Sequence, residues 1–200
     1  MWEEENKKII LASTSPRRQS ILKIMGLKFD IIKPEGVEEK NSGNPYRAVE
    51  DNSESKARFA AEKIKGRKGI VCGFDTLVYF AGSFLGKPAH QEQAAQFLEK
   101  LSGRTHKVLT GVCMIDMESG QKRTGSEITT VEFRKLGPVE INSYLKSEQV
   151  LDKAGAYNIG GRGALLVKRI EGCFYNVMGL PVARFIDMLK DMNYNILGER

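Results

Sequence analysis

The 200 residues predict a mixed α/β domain in which helices pack around a mixed β-sheet. Short β-branched runs alternate with segments of helical periodicity, the pattern of an α/β or α+β layout. Two long strand-like runs in the middle of the chain follow one another through a glycine-bearing loop, as an antiparallel pair does. A hydrophobic fraction of 41% against 28% charged residues is enough for one sizeable core and sets the chain apart from disordered sequences.

The elements follow in order. Lys8 to Ala12 is a short apolar run that reads as a buried strand. Ser15 then offers an N-cap, Pro16 suits the first helical position, and Ile21, Leu22 and Met25 recur at helical spacing up to Gly26. Lys28 to Lys33 is a second strand and Pro34 to Gly43 a loop. Asn44-Pro45 repeats the cap logic for a helix reaching about Ile64, with Val49, Ala57, Ala60, Ala61 and Ile64 on its apolar side. Ile70 to Phe80 is a strand, Ala81-Gly82 a tight turn, and Ser83 to Pro88 the return. A helix over 91–101 stops before Gly103. Strands near Lys107–Asp116 and Ile128–Leu136, a short helix at Pro138–Leu145, a strand at Ala164–Ile170 and an amphipathic helix over Pro181–Met192 complete the chain.

Composition narrows the functional classes. Net charge is +6, which suits a polyanionic partner and equally suits plain solubility. No run of five like charges appears, so a nucleic-acid-binding arm is not predicted, nor is a stable nucleic-acid partner. Cys72, Cys113 and Cys173 are odd in number, far apart and set among apolar neighbours, as buried free thiols are. The opening Met1-Trp2-Glu3-Glu4-Glu5 is acidic where a signal peptide is basic, and no apolar run is long enough to span a bilayer. A cytoplasmic location, without membrane, is expected by elimination. There is no repeat, no Walker or dinucleotide fingerprint, and no G-x-S-x-G elbow; only His90 and His106 could serve a histidine-based zinc site.

Asp75 carries the most information, because it interrupts an otherwise apolar strand. Burying an unpaired carboxylate is costly, so either it is functional or the strand carries it to an exposed end. Thr76 beside it adds a hydroxyl, though threonine is also a good strand former. Ser13-Thr14-Ser15-Pro16-Arg17-Arg18 sets three hydroxyls and two guanidiniums at a helix N-terminus. That is either a phosphate cradle or an ordinary capped helix with solvated arginines. Lys56, Lys87 and Lys153 are each a surface lysine when taken singly, but Gly86, Pro88 and Gly155 lie near enough to the latter two to aim them. Ala156 to Gly163 is glycine-rich and can bring backbone close to a ligand. Glu38 and Glu39 form either a solvated acidic loop or, with Asp75, oxygen ligands for magnesium.

Together these segments resemble the Maf family of nucleotide pyrophosphatases. The resemblance runs in order from Ile9 to Val182. It takes in Leu11-Ala12-Ser13-Thr14-Ser15-Pro16-Arg17-Arg18, Lys56-Ala57, Gly73-Phe74-Asp75-Thr76 and Leu85-Gly86-Lys87-Pro88. It continues through Leu101-Ser102-Gly103-Arg104-Thr105-His106, Asp152-Lys153-Ala154-Gly155-Ala156-Tyr157 and Val177-Met178-Gly179-Leu180-Pro181. It implies an elongated mixed sheet flanked by helices, like that of inosine triphosphate pyrophosphatases. Residues 1–200 would form a single domain of two lobes with a central cleft. It also implies a homodimer, and a divalent cation, Mg²⁺ or Mn²⁺, used to split a nucleoside triphosphate into monophosphate and pyrophosphate. Asp75 matches the proton acceptor; Arg17, Thr76 and Gly160 match specificity positions. Ser13, Arg18, Lys56, Lys87 and Lys153 match phosphate and pocket residues, and Glu38 with Asp75 the metal ligands.

The Asp-Lys-Ala-Gly-Ala-Tyr form is similar to the branch acting on dTTP and UTP, with three departures. Gly160 stands for the usual Gln, Asn158 for Gly, and Phe74 for Ala. Losing the amide at 160 removes a donor and an acceptor suited to a pyrimidine edge. The rival expectations are an enzyme that prefers inosine- or 7-methylguanosine-type purines, and a non-catalytic nucleotide- or nucleic-acid-binding regulator of septum formation.

Overall fold

A computed structural model describes residues 8–39, 43–194 and 196. The acidic N-terminal stretch and residues 40–42 of the loop after the second strand lie outside them. The chain runs β1 (Ile9–Ala12), α1 (Pro16–Ile24), β2 (Phe29–Ile31), α2 (Pro45–Lys63), β3 (Ile70–Phe80), β4 (Ser83–Leu85), α3 (Gln91–Leu101), β5 (Thr105–Asp116), β6 (Lys122–Phe133), α4 (Pro138–Ser147), β7 (Val167–Glu171), α5 (Phe174–Val177) and α6 (Val182–Lys190). Short 3₁₀ turns at Ala154–Ala156 and Arg162–Leu166 precede β7.

The seven strands form one mixed sheet in the order β2-β1-β3-β5-β6-β7, with β4 paired to β3. β1 is parallel to both β2 and β3, and all other pairs are antiparallel. All four residues of β1 are buried, as a strand covered on both faces requires. Alternation along the strands sorts the core. Ile9, Leu11, Cys72, Phe74, Val112 and Met114 face α1 and α6, whereas Ile10, Ala12, Val71 and Cys113 face α2. Cys72 and Cys113 are therefore buried free thiols on opposite faces of the sheet. A further core, around Val78, Val108, Val131 and Phe133, is closed by α3 and α4.

Two glycines let α2 lie unusually close to the sheet. A Cβ at Gly73 would stand 2.2 Å from the Ser53 carbonyl oxygen, and one at Gly111 would stand 2.0 Å from that of Val49. Only a residue without a side chain permits that approach. It brings the polar residues of the buried helix face down onto β3.

Most predicted elements appear within a few residues of their expected bounds. The Asn44 side chain caps α2 as expected, accepting from the N–H groups of Tyr46 at 3.0 Å and Arg47 at 3.3 Å. Ser15 occupies the N-cap position of α1 but makes no capping bond with its side chain. β6 differs more. Residues 122–127, polar enough to read as loop, instead pair with β5 one for one. A neighbouring strand can supply backbone partners whatever the side chains are, and these are anchored by ion pairs such as Lys122 to Glu54 at 2.6 Å and Arg184 to Glu127 at 3.5 Å. The strand predicted at Ala164 begins only at Val167, after a 3₁₀ turn, and α5 was not predicted.

Candidate active site

The site grows from a break in strand pairing. On one edge β3 pairs with β1 over Ile70–Gly73 and with β4 over Val78–Phe80. Between them residues 74–77 have no strand neighbour on that edge, while β5 continues alongside on the other. The break lies past the C-terminal end of β1, where the chain has gone to β2 on one side and returns as β3 on the other. Such a switch point is where crevices open in α/β sheets. A cleft of about 410 Å³ opens there. Ser13, Arg17, Arg18, Lys56, Asp75, Thr76, Lys87 and Lys153 all line it, so residues from five segments of the chain converge.

Asp75 is 3% exposed and points to the α2 face, on the same side as Gly73. Lys56 of α2 meets its Oδ1 at 2.5 Å, and Asn52, one helical turn earlier, donates Nδ2–H to Oδ2 at 3.0 Å. The buried acid is thus paired and hydrogen-bonded, which is what makes its charge tolerable. Lys56 also reaches Oε1 of Glu39 at 2.8 Å. Burial by itself would raise the Glu39 carboxyl, but contact with Lys56, helped by Lys87 and Arg18, holds it below the ordinary carboxylate range.

Thr76 points to the opposite face and meets Arg18. The Arg18 guanidinium donates Nε–H to the Gly179 carbonyl at 2.8 Å, Nη1 to the Ser13 hydroxyl at 3.0 Å and Nη2 to the Thr76 hydroxyl at 3.1 Å. Its Cζ also lies 5.6 Å from the Phe74 ring centroid. Phe74 is itself fully buried and 5.9 Å from Phe185, so it belongs to the core beneath the arginine. Burial lowers the Arg18 pKa to about 10, with the Asp75 charge acting the other way; it stays protonated at neutral pH. Across the mouth Arg17 approaches Asp152 at 3.9 Å, and Lys153 contacts both Asp152, at 2.6 Å, and the Gln149 carbonyl. Burial would raise the Asp152 carboxyl, but these two cations bring it below its usual value.

Two expected positions stand outside the cleft lining. Glu38 is exposed and outside the cleft lining; Glu39 enters instead. Val37 and Glu39 line the cleft, and Glu38 between them does not. Gly160 also stands outside the lining. A Cβ there would point at the Met178 side chain, 2.8 Å from its Cε, while Asn158 and Ile159 form the wall. The backbone N–H of Asn158 donates to the Tyr144 hydroxyl at 3.0 Å, and its Nδ2 donates to Glu148 Oε1 at 3.1 Å. Residues missed from sequence are Asn52, Thr110, Asn176 and the Gly179 carbonyl. Only Asn52 left a signal, being polar and four residues before Lys56 on a face otherwise lined by Val49, Ala57 and Ala60.

This cleft can hold a polyanion beside a buried carboxylate. Comparisons with known proteins agree with that chemistry. A family model described as Maf-like protein matches residues 8–192. The dTTP/UTP pyrophosphatase of Carboxydothermus hydrogenoformans is 46% identical over 187 residues, covering 94% of this chain and 100% of that protein. The dTTP/UTP pyrophosphatase of Pelotomaculum thermopropionicum is 43% identical over 193 residues, covering 96% and 100%. Among solved structures the Staphylococcus aureus Ham1 protein shares the fold, with a TM-score of 0.52 and 15% identity over 93% of this chain and 100% of that one. With a family match over residues 8–192 and relatives at 43% and 46% identity over nearly the whole chain, the chain belongs to the Maf family.

Proposed function

We propose that this chain hydrolyses nucleoside triphosphates of the dTTP and UTP type at the α-phosphorus, yielding the monophosphate and pyrophosphate. One observation carries the reading. A carboxylate only 3% exposed faces a cleft where five cations, Arg17, Arg18, Lys56, Lys87 and Lys153, outnumber the three carboxylates Glu39, Asp75 and Asp152. That excess suits a triphosphate far better than a neutral substrate.

Arg17, Arg18 and the lysines hold the triphosphate and fix its α-phosphorus relative to Asp75. Asp75 accepts a proton from a water molecule as the water oxygen bonds to the α-phosphorus. The bond from that phosphorus to the bridging oxygen breaks in line, and pyrophosphate leaves with its charge met by the cations. Lys56 and Asn52 hold the Asp75 carboxylate in place through their contacts to Oδ1 and Oδ2. A divalent cation fits the donor set. Lys56 already gathers two hard oxygen donors, Asp75 and Glu39, around one positive charge. Among the described residues no cluster of three or more His, Cys, Asp or Glu exists. A cation such as Mg²⁺ or Mn²⁺ would therefore be held by these two carboxylates together with substrate oxygens, the pattern usual for magnesium. When bound it supplies charge neutralisation on the phosphates.

Asn158 takes over base reading from the amide missing at 160, since the residue lines the cleft and its side chain is fixed by Glu148. The homodimer implied by the family resemblance belongs to the same proposal and is tested by the mass in solution. No helix among the described residues is long and apolar enough to cross a membrane. The decisive assay is pyrophosphate release from a panel of dTTP, UTP, CTP, ATP, ITP and 7-methyl-GTP with Mg²⁺ or Mn²⁺. Fastest release from dTTP or UTP is expected. Orthophosphate as the product would overturn the bond assignment, and no release from any nucleotide would overturn the enzyme reading.

A further inference from the structure

Behind the cleft floor a hydrogen-bonded chain crosses the sheet and ends on Arg18. Thr76 and Thr110 face each other in register on β3 and β5, with their hydroxyl oxygens 3.0 Å apart. The Thr110 hydroxyl donates to the Asn176 carbonyl at 3.0 Å. That carbonyl also accepts the Gly179 N–H at 2.9 Å, in the turn that aims the Gly179 carbonyl at Arg18. Asn176 is completely buried, and its Nδ2 donates to the Val108 carbonyl and the Thr129 hydroxyl, each at 3.0 Å.

Proton counting sets the direction of this chain. A hydroxyl has one proton to give and two lone pairs. The proton of Thr110 is committed to Asn176, so in the Thr76–Thr110 contact Thr76 must be the donor. Thr76 then has no proton left for the cleft. It accepts from Arg18 Nη2 and offers any substrate a lone pair only. A phosphate oxygen, itself an acceptor, gains nothing from it.

We propose that Thr110 is a positioning residue: with the Asn176 carbonyl it turns the Thr76 hydroxyl into an obligatory acceptor that, together with Ser13 and Gly179, locks the Arg18 guanidinium toward the triphosphate. This rests on the pyrophosphatase reading only where turnover is the readout. Thr110→Val keeps the shape but removes the acceptor that fixes the Thr76 rotor, so the Thr76 hydroxyl can turn its proton to any acceptor in the cleft and its lone pairs are no longer held on Arg18. Thr110→Ser keeps the hydroxyl and loses only a methyl.

The test compares both variants with the wild-type full chain, at temperatures where all three are folded, by pyrophosphate release and by the side-chain Nε–H NMR signal of Arg18. Arg18 stays charged and in the cleft, so KM should move little in Thr110→Val while kcat falls about tenfold. Thr110→Ser should restore kcat to within about twofold of wild type. The Arg18 Nε–H signal should be sharp and protected in wild type and Thr110→Ser, and broadened in Thr110→Val. Equal kcat in Thr110→Val and wild type, or equal loss in both variants, overturns the proposal. The NMR signal is read without nucleotide. A wild-type protein that released no pyrophosphate would therefore remove the enzymatic reading, and this inference would still stand or fall on the broadening.

Discussion

Asp75 and Thr76 are neighbours in sequence but look out on two different chemistries. The α2 side of β3 is ionic: Asp75, Lys56 and Glu39 share charge across contacts of 2.5 and 2.8 Å. The α1 side is a relay of neutral groups, Thr76, Thr110, Asn176 and Thr129, that ends on a single cation. Strand pleating separates the two, and the missing strand beside residues 74–77 lets both open into one cleft. The ionic side can do proton chemistry and answer to bound charge. The neutral side can only hold direction. A site that must both react and position uses one residue of each kind, placed back to back on one strand.

The largest test of that division is Asp75→Asn. Losing the acceptor should lower turnover about a thousandfold while nucleotide affinity, read by calorimetry, stays within a few-fold. Near-normal turnover would strip the ionic side of its chemical role. Lys56→Met comes next. It strands a buried carboxylate and should destabilise the fold by about 3 kcal/mol in chemical denaturation. The double variant with Asp75→Asn should recover much of this, and failure to recover would mean that the ammonium matters for packing rather than for charge.

Acidification should weaken the core around His106, beneath α3 and α4. His106, 2% exposed, meets the Tyr157 hydroxyl at 2.9 Å, and burial lowers its pKa to about 4. The folded state therefore disfavours the proton that the unfolded chain accepts near 6.5. The resulting stability is fully present above about pH 6.5 and is lost as the pH falls toward 4, by up to about 3 kcal/mol. His106→Gln should flatten unfolding free energy across that window. Glu39, held below its usual range, keeps its ion pair until lower pH. An unchanged profile in His106→Gln would place the acid sensitivity elsewhere.

The smallest effect separates two adjacent acids. Glu39→Gln should weaken Mn²⁺ binding, measured by titration calorimetry with a non-hydrolysed nucleotide analogue, by at least about tenfold. Glu38→Gln should leave it within about twofold. The reverse outcome would restore Glu38 as the metal ligand.

Much of this was legible in sequence because the signals are local. A proline after a polar cap, apolar residues three and four apart, and a lone acid in a β-branched run each act within a turn or a strand of themselves. They located α2, β3 and Asp75, and the ordered motifs supplied the ring of cations. Polar stretches read less well: residues 122–127 became strand only because β5 offered partners.

Local rules cannot say which of two adjacent glutamates turns inward. They do not show that Asn158 lines the cleft while position 160 stands outside it, or that Arg18 is gripped by Gly179, 161 residues away. Those outcomes depend on sheet order and on a helix lying against Gly73 and Gly111. Residue type and short-range spacing therefore determined that an acid and its cations exist. Only tertiary packing decided which oxygens and nitrogens lie within 3 Å of one another, because hydrogen bonds depend on separation in space and not along the chain.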